Sequence, residues 1–364
     1  MQEHRAPAFL GREISAKKSD IENLGNTAVT LTVTLGFPFF WLLYVKQFYS
    51  TEINMQYRAL IIATIQTIGL FLAAFVIPLL GQVIALFTPV PLIILSLRHG
   101  KWQGLIALTV ASAVIAALGG WQLAAILFLS FGLMAIGISE GMRRDWKHEI
   151  TALLGGLLPV IVLGMLMAAY FTRIGKNPVT VAEEYLRSSL AETAKFYTSL
   201  KLEDMAAMVN AVSDRFVHYL VRFSPGLIIA TSVAQAACCY GIARAVIMRR
   251  PGAAQMPTKG PFALWHAPDP WVWGLIVALA LIIIPQEAAR LVGWNLAIIF
   301  GTVYLAQGTA IADFYLKKIR LRTFVRGAML GLILAMPSIV FVIALGIVDI
   351  WADLRKVRGP VIKV

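Results

Sequence analysis

ALIIATIQTIGLFLAAFVIPLLGQVIALFTPVPLIILSL, residues 59–97, contains no Asp, Glu, Lys or Arg. As a single helix its ~39 residues would be ~58 Å long at 1.5 Å per residue, nearly twice the ~30 Å hydrocarbon core of a bilayer. It therefore reads as two membrane helices turned at Pro78 and Gly81, the second interrupted by Thr88–Pro89–Val90–Pro91. Each proline removes an N–H donor and strands a carbonyl one turn back. At membrane depth such carbonyls are tolerated only when buried in protein or facing a cavity, which makes Pro89 and Pro91 candidate ligand-facing residues.

The same texture extends along the chain. Leu105–Gly119 and Leu275–Pro285 are also free of charge. Of 364 residues, 59% are hydrophobic and 14% charged, against roughly 45–50% and about 25% in soluble domains. Uncharged runs of this length have no polar face to offer water. The fold class expected is an all-α polytopic transmembrane helix bundle of about 9–10 spans. The spans are drawn at 27–45, 59–77, 80–97, 103–119, 121–139, 150–172, 223–247, 271–290, 294–316 and 327–350. This gives a polar, retained N-terminal tail (1–26), an extra hydrophobic helix and loop (27–58) and a six-helix core (59–247) with an external helical insertion (173–222). A cytoplasmic loop (248–270), C-terminal transmembrane helices (271–350) and a basic tail (351–364) follow.

Lys and Arg in short loops set orientation. Arg143, Arg144 and Lys147 form one cluster, Arg244, Arg249, Arg250 and Lys259 a second, and Lys317, Lys318, Arg320, Arg322 and Arg326 a third. Two spans separate each cluster from the next, so all three share one side, expected to be cytoplasmic in a multi-pass protein of the bacterial inner membrane. The tail bearing Arg355, Lys356, Arg358 and Lys363 conflicts with this if 327–350 crosses once. An even count of ten spans is the preferred solution; a re-entrant last segment, broken at Pro337, is the other. Pro38 raises the same question for the first span.

Residues 173–222 carry two amphipathic patterns. Thr180 and Glu183 form a capping box after Asn177–Pro178. Met205, Met208, Val209, Val212, Phe216, Leu220 and Phe223 make an apolar stripe at helical spacing. Two readings stand: surface helices capping the bundle, or a lid over an external pocket.

Polar residues inside spans are costly and usually face the bundle or a cavity. Asn295, Thr302, Thr309 and Asp313 share one helical face, with Gln307 beside them; Ser224, Thr231, Gln235 and Cys238 repeat the pattern. These residues either line a ligand path or hydrogen-bond between helices. Asp313, Asp349 and Asp353 are ion-pair or proton-site candidates, with Lys317, Arg355 and Lys356 nearby. Gly327, Gly331 and Ala335 form a small-residue packing face. Trp265, Trp271 and Trp273 read as an interfacial aromatic belt.

Other chemistries lack a signature. The net charge of +13 sits in topological loops without the aromatic interleaving of nucleic-acid surfaces, so no nucleic-acid partner is expected. Cys238 and Cys239 are adjacent, a pairing that bridges only with strain, and read as small packing residues. Gly137–Ile138–Ser139–Glu140–Gly141 matches the nucleophile-elbow pattern but lacks the preceding strand and a histidine partner. Neither a P-loop, a dinucleotide fingerprint nor a zincin motif is present. The expectation is a non-enzyme without cofactor or metal.

Thr88–Pro89–Val90–Pro91–Leu92 through Leu97–Arg98–His99–Gly100 resembles the YybS-like family of bacterial membrane proteins. Phe223–Ser224–Pro225–Gly226, Asn295–Leu296 through Gln307–Gly308, and Leu345–Gly346–Ile347–Val348–Asp349 with Trp351, Asp353, Leu354 and Arg355 support the resemblance over residues 59–358. That family is distantly similar to the substrate-capture components of energy-coupling-factor transporters. The similarity implies a small-molecule ligand, an Ala-x-x-x-Ala face for a partner membrane subunit (Ala59 and Ala63, with Ala113–Ala117 fitting equally), and a separate ATPase. The function expected is a transporter-like membrane protein binding a small molecule. The alternative is a non-catalytic envelope scaffold contacting other membrane proteins.

Overall fold

The structure, a computed structural model, describes residues 52–77, 80–248, 262–319, 323–333 and 339–356. The described residues are helical with no strands, as composition demands. The expected span 27–45 lies outside them.

α1 (Glu52–Val76) runs from the basic end of the bundle to the opposite, far end. The second span is broken as expected: α2 (Leu80–Ala85), a turn at 86–88, then α3 (Pro89–His99). α4 (Lys101–Gly119) follows Gly100, whose φ of 104° is open only to glycine at low cost. Gly120 (φ 89°) makes the next reversal, into α5 (Trp121–Ile126), a π-helical stretch Leu127–Gly132 and α6 (Leu133–Arg143). α7 (His148–Ile174) closes this first unit. Its core is apolar, with Leu92, Ile93, Leu108 and Ile138 fully buried. Helices meet at glycines: a Cβ on Gly137 would lie 3.1 Å from the Gly155 backbone, and one on Gly156 would lie 2.6 Å from that of Val233.

The insertion is an antiparallel hairpin, α8 (Pro178–Ser199) and the outer part of α9 (Glu203–Met248). α9 is one 46-residue helix, ~69 Å long, so the second amphipathic helix and the sixth span are continuous rather than separate. The hairpin therefore rises from the membrane on α9. Asn177 caps α8 by accepting from Val179 N–H at 2.9 Å. The Thr180–Glu183 box does not form, because Pro178 presets the first helical residue and starts the helix earlier. Of the apolar stripe of α9, Met205, Met208 and Phe216 are exposed and Val209, Leu220 and Phe223 half-buried, while Ala206, Val217 and Val221 are buried.

The C-terminal unit starts with a strap, residues 262–270, containing a short 3-10 turn (Phe262–Leu264). α10 (Trp271–Ile283) stops seven residues before the drawn boundary, because Ile284 turns extended (ψ 132°) ahead of Pro285. α11 (Glu287–Lys318) then begins earlier than drawn, with an acidic first turn suited to a helix N-terminus. Of the drawn last span the structure describes two helical stretches, α12 (Thr323–Ile333) and α13 (Ile339–Ala352); residues 334–338, with Pro337, lie outside the described residues.

Both ends of this segment lie beside the last turns of α11. Arg326 Nε is 3.2 Å from Asp313 Oδ1, and Tyr315 Oη donates to the Leu354 carbonyl at 2.9 Å. The segment's two described ends thus lie at one end of the bundle, the arrangement of the re-entrant reading. Among the described residues seven helical stretches have the length and apolarity to cross: Tyr57–Val76, Leu80–His99, Lys101–Gly119, Trp121–Arg143, His148–Ile174, Phe216–Met248 and Glu287–Lys318. Trp271–Ile283 and Ile339–Ala352 are shorter apolar helices.

Candidate functional site: buried polar joints of the bundle

The carbonyl that the Pro-x-Pro break leaves open is that of Leu86, not the Ala85 or Phe87 carbonyl four residues before each proline. Val90 N–H bonds Phe87 O at 3.0 Å, so it does not serve Leu86 O one turn back. Gln235 Nε2 reaches across from α9 to donate to Leu86 O at 2.8 Å, and Cys239 Sγ approaches it at 3.4 Å. Thr88 Oγ1 donates to Ala85 O at 2.6 Å, the carbonyl to which Pro89 has no N–H to give. Pro89 and Pro91 are buried in protein, and Gln235 serves as a backbone cap.

A second joint uses the same logic on α9. Pro225 gives no N–H to Val221 O, which accepts instead from Ser224 Oγ at 2.8 Å. Asn295 of α11 bridges the next pair: its Oδ1 accepts from Gly226 N–H at 2.6 Å and its Nδ2 donates to Arg222 O at 3.1 Å. An intact helix would pair those two backbone groups directly. Gly226 is needed here, since a Cβ would lie 2.7 Å from Asn295 O. Arg222 also pairs with Glu287, the first residue of α11.

The third joint is a buried charge centre at the basic end. Arg355 and Asp349 side chains are 1% and 4% exposed, with Nη2 to Oδ2 at 2.8 Å. Arg355 Nη1 donates to the carbonyls of Ala263 and Trp265 at 2.8 and 2.9 Å. Gln307 completes the ring, accepting from Ala267 N–H at 3.1 Å and donating to Asp349 Oδ2 at 3.0 Å. Leu354 N–H donates to Asp349 Oδ1 at 2.9 Å. Trp265 Nε1 donates to Glu149 Oε1 on α7 at 2.7 Å, tying the strap to the first unit. Trp265 thus anchors the strap. Asp353 adopts φ 37° in the turn that folds Arg355 back.

The remaining candidates are placed as follows. Thr231, Thr302 and Thr309 donate to Leu227, Ile298 and Leu305 carbonyls of their own helices. Asp313 binds Lys317 Nζ at 2.7 Å as well as Arg326. Ala59 and Ala63 are buried in the chain's own core with Ile93 and Leu95, whereas Ala113 and Ala117, which fit the implied partner face equally, are exposed. Gly327 and Gly331 meet nothing within 4 Å among the described residues, and Ala335 lies outside them. Ser139 donates to Ala135 O at 2.6 Å, while Gly137 and Gly141 of its motif pack against α7. Among the described residues no three His, Cys, Asp or Glu side chains cluster to hold a metal.

Sequence reasoning missed the centre's convergence. Asp349 and Arg355 are six apart, outside helical i,i+4 logic, and meet only through the turn at Asp353. Glu149–Trp265 and Arg222–Glu287 join distant segments and carry no local signal. No curated protein and no solved structure matches the chain. The many-helix architecture agrees with the one comparison that does match, a model described as "Predicted membrane protein (DUF2232)" over residues 65–350, and the chain belongs to that family.

Proposed function

We propose that this chain is a non-catalytic scaffold of the cytoplasmic membrane, its basic end in the cytoplasm, acting through protein contacts made by the α8–α9 hairpin. One observation carries the reading: the polar side chains that suggested a ligand path are engaged in joints or in their own helices. Gln235, Asn295 and Gln307 cap backbone or charge, and the three threonines bond back. The small-molecule reading has correspondingly little left to contact a substrate.

The hairpin supplies the contact surface. Met205, Met208, Phe216 and Tyr219 are exposed on one face of α9, at spacings of three, eight and three residues. Met205 and Met208 lie about 12–16 Å beyond Phe216 along α9, outside the apolar stretch Phe216–Met248. An exposed apolar face of this kind fits a helical segment of another envelope protein.

The test places a photo-crosslinking residue at Met208 and, as control, at Ala207 on another face of α9. The scaffold predicts a protein adduct at Met208 that maps to a helical segment and disappears in Met205→Asp. Adducts to phospholipid, equal labelling at both positions, or a metabolite that raises the melting temperature of the purified protein would overturn it.

A further inference from the structure

α11 connects two distant joints. Near its start Asn295 is inserted into α9 at the Pro225 break, and about 18 Å further along Gln307 holds both the strap and Asp349. Neither joint has slack. A Cβ on Gly226 would meet the Asn295 backbone, and one on Gly308, next to Gln307, would lie 2.0 Å from Val342 O of α13. Two further contacts brace the far end: Arg222 pairs with Glu287, and the rings of Phe223 and Trp294 lie 6.2 Å apart.

α9 carries the hairpin, and it is weakest at Pro225, where side chains replace ladder bonds. A hairpin drawn aside by a bound partner would bend α9 there. The first group to follow is the Asn295 amide, and with it α11. At the other end of α11 the same displacement loads the bonds to Ala267 and Asp349, which hold the strap and the returning α13.

We propose that α11 is a coupling rod, reporting the position of the far-end hairpin to the strap and the Asp349–Arg355 centre at the basic end. The coupling stands on the two joints and does not require the scaffold reading. It would make the strap, not the hairpin, the element that a partner at the basic end senses.

Hydrogen exchange of the intact protein in lipid nanodiscs tests it. Asn295→Ala is expected to raise exchange at the strap amides, Ala267 above all, by about tenfold, the effect of losing one net hydrogen bond's worth of support. Gln235→Ala is the matched control: it removes an equivalent amide cap, at Leu86, within the first unit. Its effect is expected to stay near residues 84–90. Equal strap exchange in both variants would mean general loosening and overturn the proposal, as would an Asn295→Ala effect confined to α9 and α11 around the joint.

Pro225→Ala combined with Asn295→Ala separates link from ladder. Restoring the α9 N–H repairs the helix but not the connection, so strap exchange should remain raised while exchange at Gly226 returns toward the parent. Return of the strap to parental exchange in that double variant would contradict the rod. Binding linkage is reciprocal, so Gln307→Ala is expected to raise exchange at Gly226; an unchanged Gly226 amide would count against the coupling.

Discussion

The first unit and the C-terminal unit solve the same problem with different chemistry. α1–α7 with the inner part of α9 are mostly long enough to span, and they pack through small residues and an apolar core. Their Pro-x-Pro break is capped by the amide of Gln235. In the C-terminal unit α10 is too short to cross unaided, and the strap and α13 are fixed by a buried ion pair, an amide and backbone carbonyls. Where helix length suffices, packing positions the chain. Where it falls short, buried charge does so, and loss of one partner then leaves the other stranded.

That contrast sets an order of effects. Arg355→Met alone should be the most damaging, about 3–5 kcal/mol, because it leaves Asp349 buried without its guanidinium partner. The double change Asp349→Leu with Arg355→Met should recover much of that loss; chemical unfolding in detergent reads both. Gly308→Leu should come next, at about 1–3 kcal/mol, since the α11–α13 backbone contact must open. Gln235→Leu leaves the Leu86 carbonyl without its amide donor and should cost about 1–3 kcal/mol, in the first unit only. Thr302→Val, whose hydroxyl only bonds back to Ile298, should change stability by less than about 0.5 kcal/mol. An effect of Thr302→Val comparable to that of Arg355→Met would erase the distinction between the units.

Particular residues show how far the sequence is legible. The Thr88–Pro91 break required a buried donor, and Gln235 was already singled out as a polar residue of the facing helix. What could not be read was which carbonyl it serves, since that depends on how α9 crosses α3. Asn295 and Gln307 were named for the same reason, yet their partners are backbone groups of remote segments, which no periodicity records. The hairpin was visible as two amphipathic patterns, but not what its apolar stripe faces: apolar spacing locates a face without saying what lies against it. The last segment left two readings for a simpler reason. Hydropathy measures apolar length, and 327–350 is long enough to cross; its return to the same end depends on Arg326, Tyr315 and Arg355 finding partners in three dimensions.

The most direct test of this account asks on which side Lys356 lies. Single cysteines at Lys356, Lys147 and Lys176, in a chain whose Cys238 and Cys239 are replaced by Ala, are labelled with a membrane-impermeant maleimide in intact and in opened vesicles. The account predicts that Lys356→Cys labels with Lys147→Cys at the basic end, opposite Lys176→Cys at the foot of the hairpin. Labelling of Lys356→Cys together with Lys176→Cys would show that the last segment crosses the membrane, and would contradict the buried centre as the anchor of a returning chain.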